Sequence, residues 1–241
     1  MDSAASGGHL EIVKFLHANR SESCTTVAMN GAAGDGHLEV VKRLHANRAE
    51  GCTQAAMDKA AKNGHLEIVK WLHENRTEGC SETTMDWAAR NGHLDVVKWL
   101  HENRTEGCST SAMDETNSLE ILHWLHKNRS EGCTEVAMES AASGGEFENL
   151  LFLKQAGIDL FTRAAASVAV SSHQFEIFQW MRANYPDPAT FNSLTVMDDE
   201  LVEKNSAGLL IGSMSSDIDL TMHDDLASNV LTELELMRKV M

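Results

Sequence analysis

Histidine and cysteine are the residues of this chain whose types could do chemistry, and both recur at a fixed interval. Twelve His and five Cys raise the question of a metal centre, because imidazole and thiolate are the common zinc ligands. The spacing argues against one. No Cys-x-x-Cys and no His-Glu-x-x-His occurs, and those are the spacings that set two ligands on one ion. The cysteines come singly, at Cys24, Cys52, Cys80, Cys108 and Cys133. If each belongs to its own layer of helices, roughly 8–10 Å from the next, two of them lie beyond the ~7 Å Cα separation a disulfide tolerates. Four of them could not surround one zinc. A packing role therefore ranks above a metal ladder, and neither metal nor cofactor is expected. Nucleophilic catalysis has no better footing: there is no Gly-x-Ser-x-Gly, no phosphate-binding glycine loop, and Gly208 to Gly212 encloses apolar residues. A non-enzyme is expected.

The elements that position these residues follow from one repeated phrase. Gly8-His9-Leu10, Gly36-His37-Leu38, Gly64-His65-Leu66 and Gly92-His93-Leu94 stand 28 residues apart, the mark of an array whose units bury their apolar faces against neighbours. In the copy from Cys80 to Gly107, Ser81 is read as a helix N-cap, with Thr25, Thr53, Ser109 and Thr134 as counterparts. Cys80 and Met85 fit a hydrophobic staple across that cap, repeated as Cys24/Met29, Cys52/Met57, Cys108/Met113 and Cys133/Met138. A first helix runs through Ala88-Ala89 and ends near Asn91-Gly92, where glycine suits a left-handed cap. A second helix covers roughly His93 to Asn103, with Leu94, Val96, Val97, Trp99 and Leu100 on its apolar face and Asp95 paired with Lys98 outside.

The other recurrent polar residues receive structural roles. His9, His37, His65 and His93 are expected to orient the turn by hydrogen bonding. His17, His45, His73, His101 and His126 lie at second-helix ends, where positive charge is favourable. Arg20, Arg48, Arg76, Arg104 and Arg129, each two residues before a Glu, predict salt bridges between neighbouring loops. Trp71, Trp99, Trp124 and Trp180 share one second-helix position with Phe15, Phe152 and Arg43, which reads as edge packing near the surface.

The stretch Ala60-Ala61-Lys62-Asn63-Gly64-His65-Leu66-Glu67-Ile68-Val69-Lys70-Trp71-Leu72 and its sister copies resemble an ankyrin repeat. The standard unit is about 33 residues with Thr-Pro-Leu-His, whereas Thr83-Thr84-Met85-Asp86 stands here. The loop from Asn103 to Cys108 is also too short for a projecting β-hairpin. The fold expected is therefore all-α: an α-solenoid of stacked helix-turn-helix units with an irregular or helical C-terminal extension. The resemblance implies a protein–protein interaction module that binds a partner through the concave face lined by first helices. On that face the residues that vary between units are Gln54, Lys59 and Lys62, then Glu82, Trp87 and Arg90, with Asp58 and Asp86 beside them. These eight are the candidate partner-binding residues. The alternative is a regulatory or targeting segment of a larger enzyme.

With the Met position as phase, units begin at Met1, Met29, Met57, Met85, Met113, Met138 and Ala166. The fifth has lost three residues between Asp114 and Leu119, including the Ala-Ala pair and the glycine, so a shortened first helix and a change of superhelix direction are expected there. In the seventh, His173 replaces the turn glycine. Residues 1–184 form the array, closed by Pro186 and Pro188. Residues 185–241 form an acidic extension, with a helix expected near 224–239. The first unit has no polar outer face, which predicts either preceding repeats or end-to-end self-association. The net charge of −16 disfavours nucleic acid. No apolar stretch is long enough for a membrane span and no secretory leader is visible, so an intracellular, cytoplasmic protein is expected.

Overall fold

A computed structural model describes residues 1–19, 24–158 and 160–185 of the 241-residue chain. The closing prolines and the helix expected near 224–239 lie outside the described residues, as do Arg20 and Glu22. Among the described residues there are fourteen helices and no strand. They fall into seven pairs: α1 (Asp2–Ser6) with α2 (Leu10–Asn19), α3 (Thr26–Gly34) with α4 (Leu38–Asn47), and α5 (Ala55–Lys62) with α6 (Leu66–Asn75). The series continues as α7 (Thr84–Arg90) with α8 (Leu94–Asn103), α9 (Ser111–Asp114) with α10 (Leu119–Asn128), α11 (Glu135–Gly144) with α12 (Phe147–Gln155), and α13 (Arg163–Ser171) with α14 (Phe175–Asn184).

Each first helix stacks on the next first helix, from α1 through α13, and the substantial contacts lie within a pair or between adjacent pairs. That is a solenoid, built by neighbours alone. The alanines explain the close stacking. Ala32, Ala33, Ala60, Ala61, Ala88 and Ala89 are wholly buried, and a larger side chain there would hold adjacent first helices apart. Val41, Val69 and Val97 with Leu44, Leu72 and Leu100 supply the matching buried face of the second helices.

The turn between the helices of a pair has one geometry throughout the regular units. The His37 amide donates to the Ala32 carbonyl at 2.8 Å and the Gly36 amide to Ala33 at 3.4 Å, with Gly36 at φ +87°. This is the Schellman arrangement, which needs a left-handed residue at the position Gly36 occupies. The same bond runs from His65 to Ala60 and from His93 to Ala88. In the seventh unit Gln174 donates to Ala169 at 2.8 Å, yet the left-handed residue is His173, at φ +61°. The turn survives without glycine, with the strain of an L side chain at positive φ.

The fifth unit has the shortened first helix: α9 is a single turn of four residues. Thr116 takes the place of the missing alanines. It is buried, and its hydroxyl donates to the Ala89 carbonyl at 3.1 Å. From the sixth unit Asn149 closes the gap by donating to the Thr116 carbonyl at 3.3 Å.

Candidate partner-binding face

The loops before the first helices are tied down by a carboxylate or amide one unit earlier. Asp2 accepts from the Thr25 amide at 3.0 Å and from its hydroxyl at 2.7 Å. Asn30 does the same for Thr53, accepting from the amide and donating to the hydroxyl. Asp58 accepts from the Ser81 amide at 2.8 Å and the Thr84 hydroxyl at 2.5 Å, and Asp86 takes the Ser109 amide and hydroxyl at 2.9 and 2.7 Å. Asp114 does so for Thr134, and Glu139 at the same register accepts from the Thr162 hydroxyl at 3.0 Å. A buried carboxylate needs such donors, and each bond to the charged group is worth about 1.5–3 kcal/mol. These bonds correct the sequence expectation for two candidate residues. Asp58 and Asp86 are 7% and 5% exposed and face the next unit, so they belong to the scaffold. The sequence held the signal: a polar residue constant at this register from Asp2 to Asp114 marks a shared structural task.

Thr25 and Thr134 cap α3 and α11 as expected, their hydroxyls accepting from the amides of Val27 and Val136. Thr53 and Ser109 make the same bond, to the amides of Ala55 and Ser111, but from one residue before the caps of α5 and α9, Gln54 and Thr110. Ser81 departs from the pattern. Thr84 stands where other units have alanine, and the Ser81 hydroxyl lies 3.1–3.2 Å from those of Thr83 and Thr84. Helix α7 accordingly starts later, at Thr84.

A second constant set lies at the second-helix ends. Arg76 binds Glu78 within its own loop, through two nitrogens, and Arg104–Glu106 and Arg129–Glu131 repeat the clamp. The salt bridges expected between loops are thus inside each loop. What crosses between units is the arginine's other nitrogen, 3.5 Å from Nδ1 of His45, with Arg104 and Arg129 3.3 Å from His73 and His101. A guanidinium only donates, so Nδ1 is the accepting atom of each histidine in these contacts. Their rings also meet Trp71, Trp99 and Trp124 edge-on at 5.2 Å. The Arg76 and Arg104 hydrogen bonds hold the Glu78 and Glu106 carboxyls below the usual range, partly offset by burial.

His37, His65 and His93 make no side-chain cap bond. Their rings instead cover the turn glycine of the preceding unit, where a methyl on Gly8 would lie 2.5 Å from His37 and one on Gly64 2.6 Å from His93. Asp95 also departs from expectation: it binds its neighbour Val96's amide at 2.9 Å. The longer Glu39 and Glu67 reach Lys42 and Lys70. Sequence reasoning missed the helix ends, where Asn47, Asn75 and Asn103 donate to carbonyls four residues back.

The five cysteines are free. Burial pushes the thiols of Cys80, Cys108 and Cys133 up to about 11, as a packed staple does. Among the described residues no group of three or more His, Cys, Asp or Glu could hold a metal ion. Nor is any helix there long and apolar enough to cross a membrane.

Once the constant positions are assigned, the six remaining candidates stand exposed. Gln54, Lys59, Lys62, Glu82 and Arg90 are exposed, and Trp87 is 39% exposed, unusual for an indole beside a buried helix face. Arg90 reaches across to Glu115 of the fifth unit at 2.8 Å. Gln54 touches the scaffold at 3.4 Å from the Cys80 carbonyl. Val27 and Val136, 56% and 41% exposed on first helices to either side, are surface apolar residues the sequence did not single out.

Two overlapping stretches, residues 27–73 and 57–101, match the family model described as ankyrin repeats (many copies). Together they enclose all eight candidate residues. A comparison with curated proteins gives no match. Ankyrin repeats are in general protein–protein interaction modules and are typically non-catalytic. The 28-residue units, their stacked helix pairs and this match identify residues 27–101 as ankyrin repeats.

Proposed function

We propose that the chain binds a protein partner through the first-helix face of units three and four, using Gln54, Lys59, Lys62, Glu82, Trp87 and Arg90. The observation that carries this reading is the division of labour along the first helices. Positions occupied by Ala, Met and Asp/Asn in unit after unit are buried and bonded to neighbours. The positions of these six differ between units and face outward. Arg90 and Gln54 each also touch the following unit, through Glu115 and the Cys80 carbonyl, and side chains held in this way on a stacked array lose little freedom when a partner docks. Trp87 beside Arg90 supplies the residue types that dominate binding energy at interfaces.

Residues 1–184 would then be the recognition array, and residues 185–241 a separate acidic extension. The protein would act inside the cell as a non-catalytic adaptor. The test is capture of interacting proteins by wild type and by a Trp87→Ala/Arg90→Ala variant, with Lys98→Ala/Lys127→Ala as the surface control. Recovery that falls for the first variant and holds for the control is expected. Equal recovery from all three removes this face.

A further inference from the structure

We infer that the turn at Gly92 is an open seat for a planar side chain of a protein partner: His, Phe, Tyr or Trp. This deepens the proposed function and rests on it. In the regular part of the array each left-handed turn glycine is roofed by a flat side chain from the following unit. His37 covers Gly8, His65 covers Gly36 and His93 covers Gly64, with ring atoms 2.5–2.8 Å from where a methyl would stand. In the sixth unit the Gln174 amide covers Gly145 at 3.0 Å. In unit five Ser118 stands directly before the second helix, where the other regular units have the His that would roof Gly92. Among the described residues nothing lies within 4 Å of that point, although Gly92 keeps the same φ of +82°.

The seat is preformed by the turn itself. The His93 amide donates to the Ala88 carbonyl at 3.0 Å and the Gly92 amide to Ala89 at 3.1 Å, while Asn91 donates to the Trp87 carbonyl at 2.7 Å. No closing motion is needed. The seat lies at the end of the helix that carries Trp87 and Arg90, both exposed. A partner segment crossing that face would meet the indole and guanidinium and then the uncovered glycine. Glycine exposes a flat peptide surface with no Cβ, and the four roofed turns show which shape the array itself uses to cover it. The occupant is therefore a partner residue with a planar ring, standing where the next unit's histidine stands elsewhere.

A random peptide library selected on the full chain tests this. The second reagent is a variant in which Glu115–Ser118 is replaced by the Ser3–His9 segment of unit one, which restores the missing residues and the roofing His without adding charge. Selected peptides should share one His, Phe, Tyr or Trp whose change to Ala weakens binding about tenfold or more, with a similar loss on the refilled variant. In the wild-type chain, labelled with nitrogen-15, the same peptides should move the Gly92 amide resonance, a readout independent of how well the refilled variant folds. The inference is overturned if no planar residue is shared, if the Gly92 resonance stays fixed, or if a folded refilled variant binds as well as wild type. Peptides that lose affinity for Trp87→Ala/Arg90→Ala yet ignore the refilling would leave the face standing and remove the seat. Peptides indifferent to both would remove both.

Discussion

Units two to four and units five to seven are made from the same parts, yet the three-residue loss falls in the second group alone. In units two to four the bond from the loop amide to the preceding unit's Asp or Asn has a fixed separation: Asn30 to Thr53, Asp58 to Ser81 and Asp86 to Ser109 all span 23 residues. Past the deletion, Asp114 reaches Thr134 across 20. The Arg–His contact shortens likewise, from 31 residues at Arg104–His73 to 28 at Arg129–His101. The rungs kept their spatial register while the sequence between them lost three residues. That identifies the rungs as the stacking code, and the turn between them as dispensable. Later units replace further parts one at a time. Lys154 stands where earlier units have His and lies 5.4 Å over the Trp180 ring, a cation–π contact in place of an edge-on pair.

The sharpest way to break this comparison is to remove a rung on each side of the deletion. Asp86→Ala forfeits two charge-assisted bonds and leaves the Ser109 amide without its acceptor, so a loss of about 3 kcal/mol is expected in denaturant unfolding. Asp114→Ala should cost the same within about 1 kcal/mol, because its two bonds to Thr134 are of the same kind and length. If the second loss were under half of the first, the rungs would not be equivalent, and the deletion would have loosened the stack.

The loop clamps give a smaller effect with a pH signature. Glu78 and Glu106 have folded carboxyl pKa values depressed chiefly by their arginine hydrogen bonds. A depressed value means that the unfolded chain takes up the proton first. The stability contributed is thus complete above the unfolded carboxyl pKa, about 4.3, and is lost as pH falls through the lower folded value. Glu106→Gln should be less stable than wild type at neutral pH and converge with it in acid. A gap that stays constant with pH would mean that the carboxylate charge contributes nothing. The sixth unit has Gly157 where Arg129 stands one unit earlier, so it has no such clamp to lose.

Most of the architecture was legible because it depends on spacing. The 28-residue phrase, the alanine pairs and the caps at Thr25 and Thr134 are local patterns, and local bonds satisfy them. What was not legible depends on which way a side chain turns. Asp58 and Asp86 have the composition of an exposed face, and sequence cannot tell an outward carboxylate from one turned into the next unit. Arg76 could as easily have met a neighbouring loop as Glu78 two residues on. The histidines were assigned to hydrogen bonds or helix charge, whereas the structure uses those at the turns as flat covers over glycine. For the proposed face, variation between units is the signal the sequence offers, and Trp87 is 39% exposed.

His173 sharpens the comparison from the irregular side. It holds the left-handed position that glycine holds at Gly36, Gly64 and Gly92, at a steric cost of about 1–2 kcal/mol for an L residue. Glycine would relieve that strain but give the unfolded chain more freedom to lose, so His173→Gly should stabilise the array by only about 0.5–1 kcal/mol. A thermal melt shifted upward is the expected outcome. A downward shift would show that the edge contact of His173 with Phe175 at 6.0 Å outweighs the backbone strain.

The smallest expected effect divides scaffold from face most directly. Lys59 and Lys62 lie on α5 between buried partners: Asp58 before the first, and the wholly buried Ala60 and Ala61 between them. Both lysines are exposed. Replacing both with Ala removes no inter-unit bond and favours helix slightly, so unfolding free energy should stay within about 0.5 kcal/mol of wild type. Asp58→Ala, a single residue away, should cost several times more, because the Ser81 amide loses its acceptor and the Thr84 hydroxyl its bond to the charged carboxylate. If the lysine pair proved as costly as the aspartate, the outward positions would also be holding the stack together. Their variation between units would then reflect packing, and the argument that they are free to meet a partner would lose its physical basis.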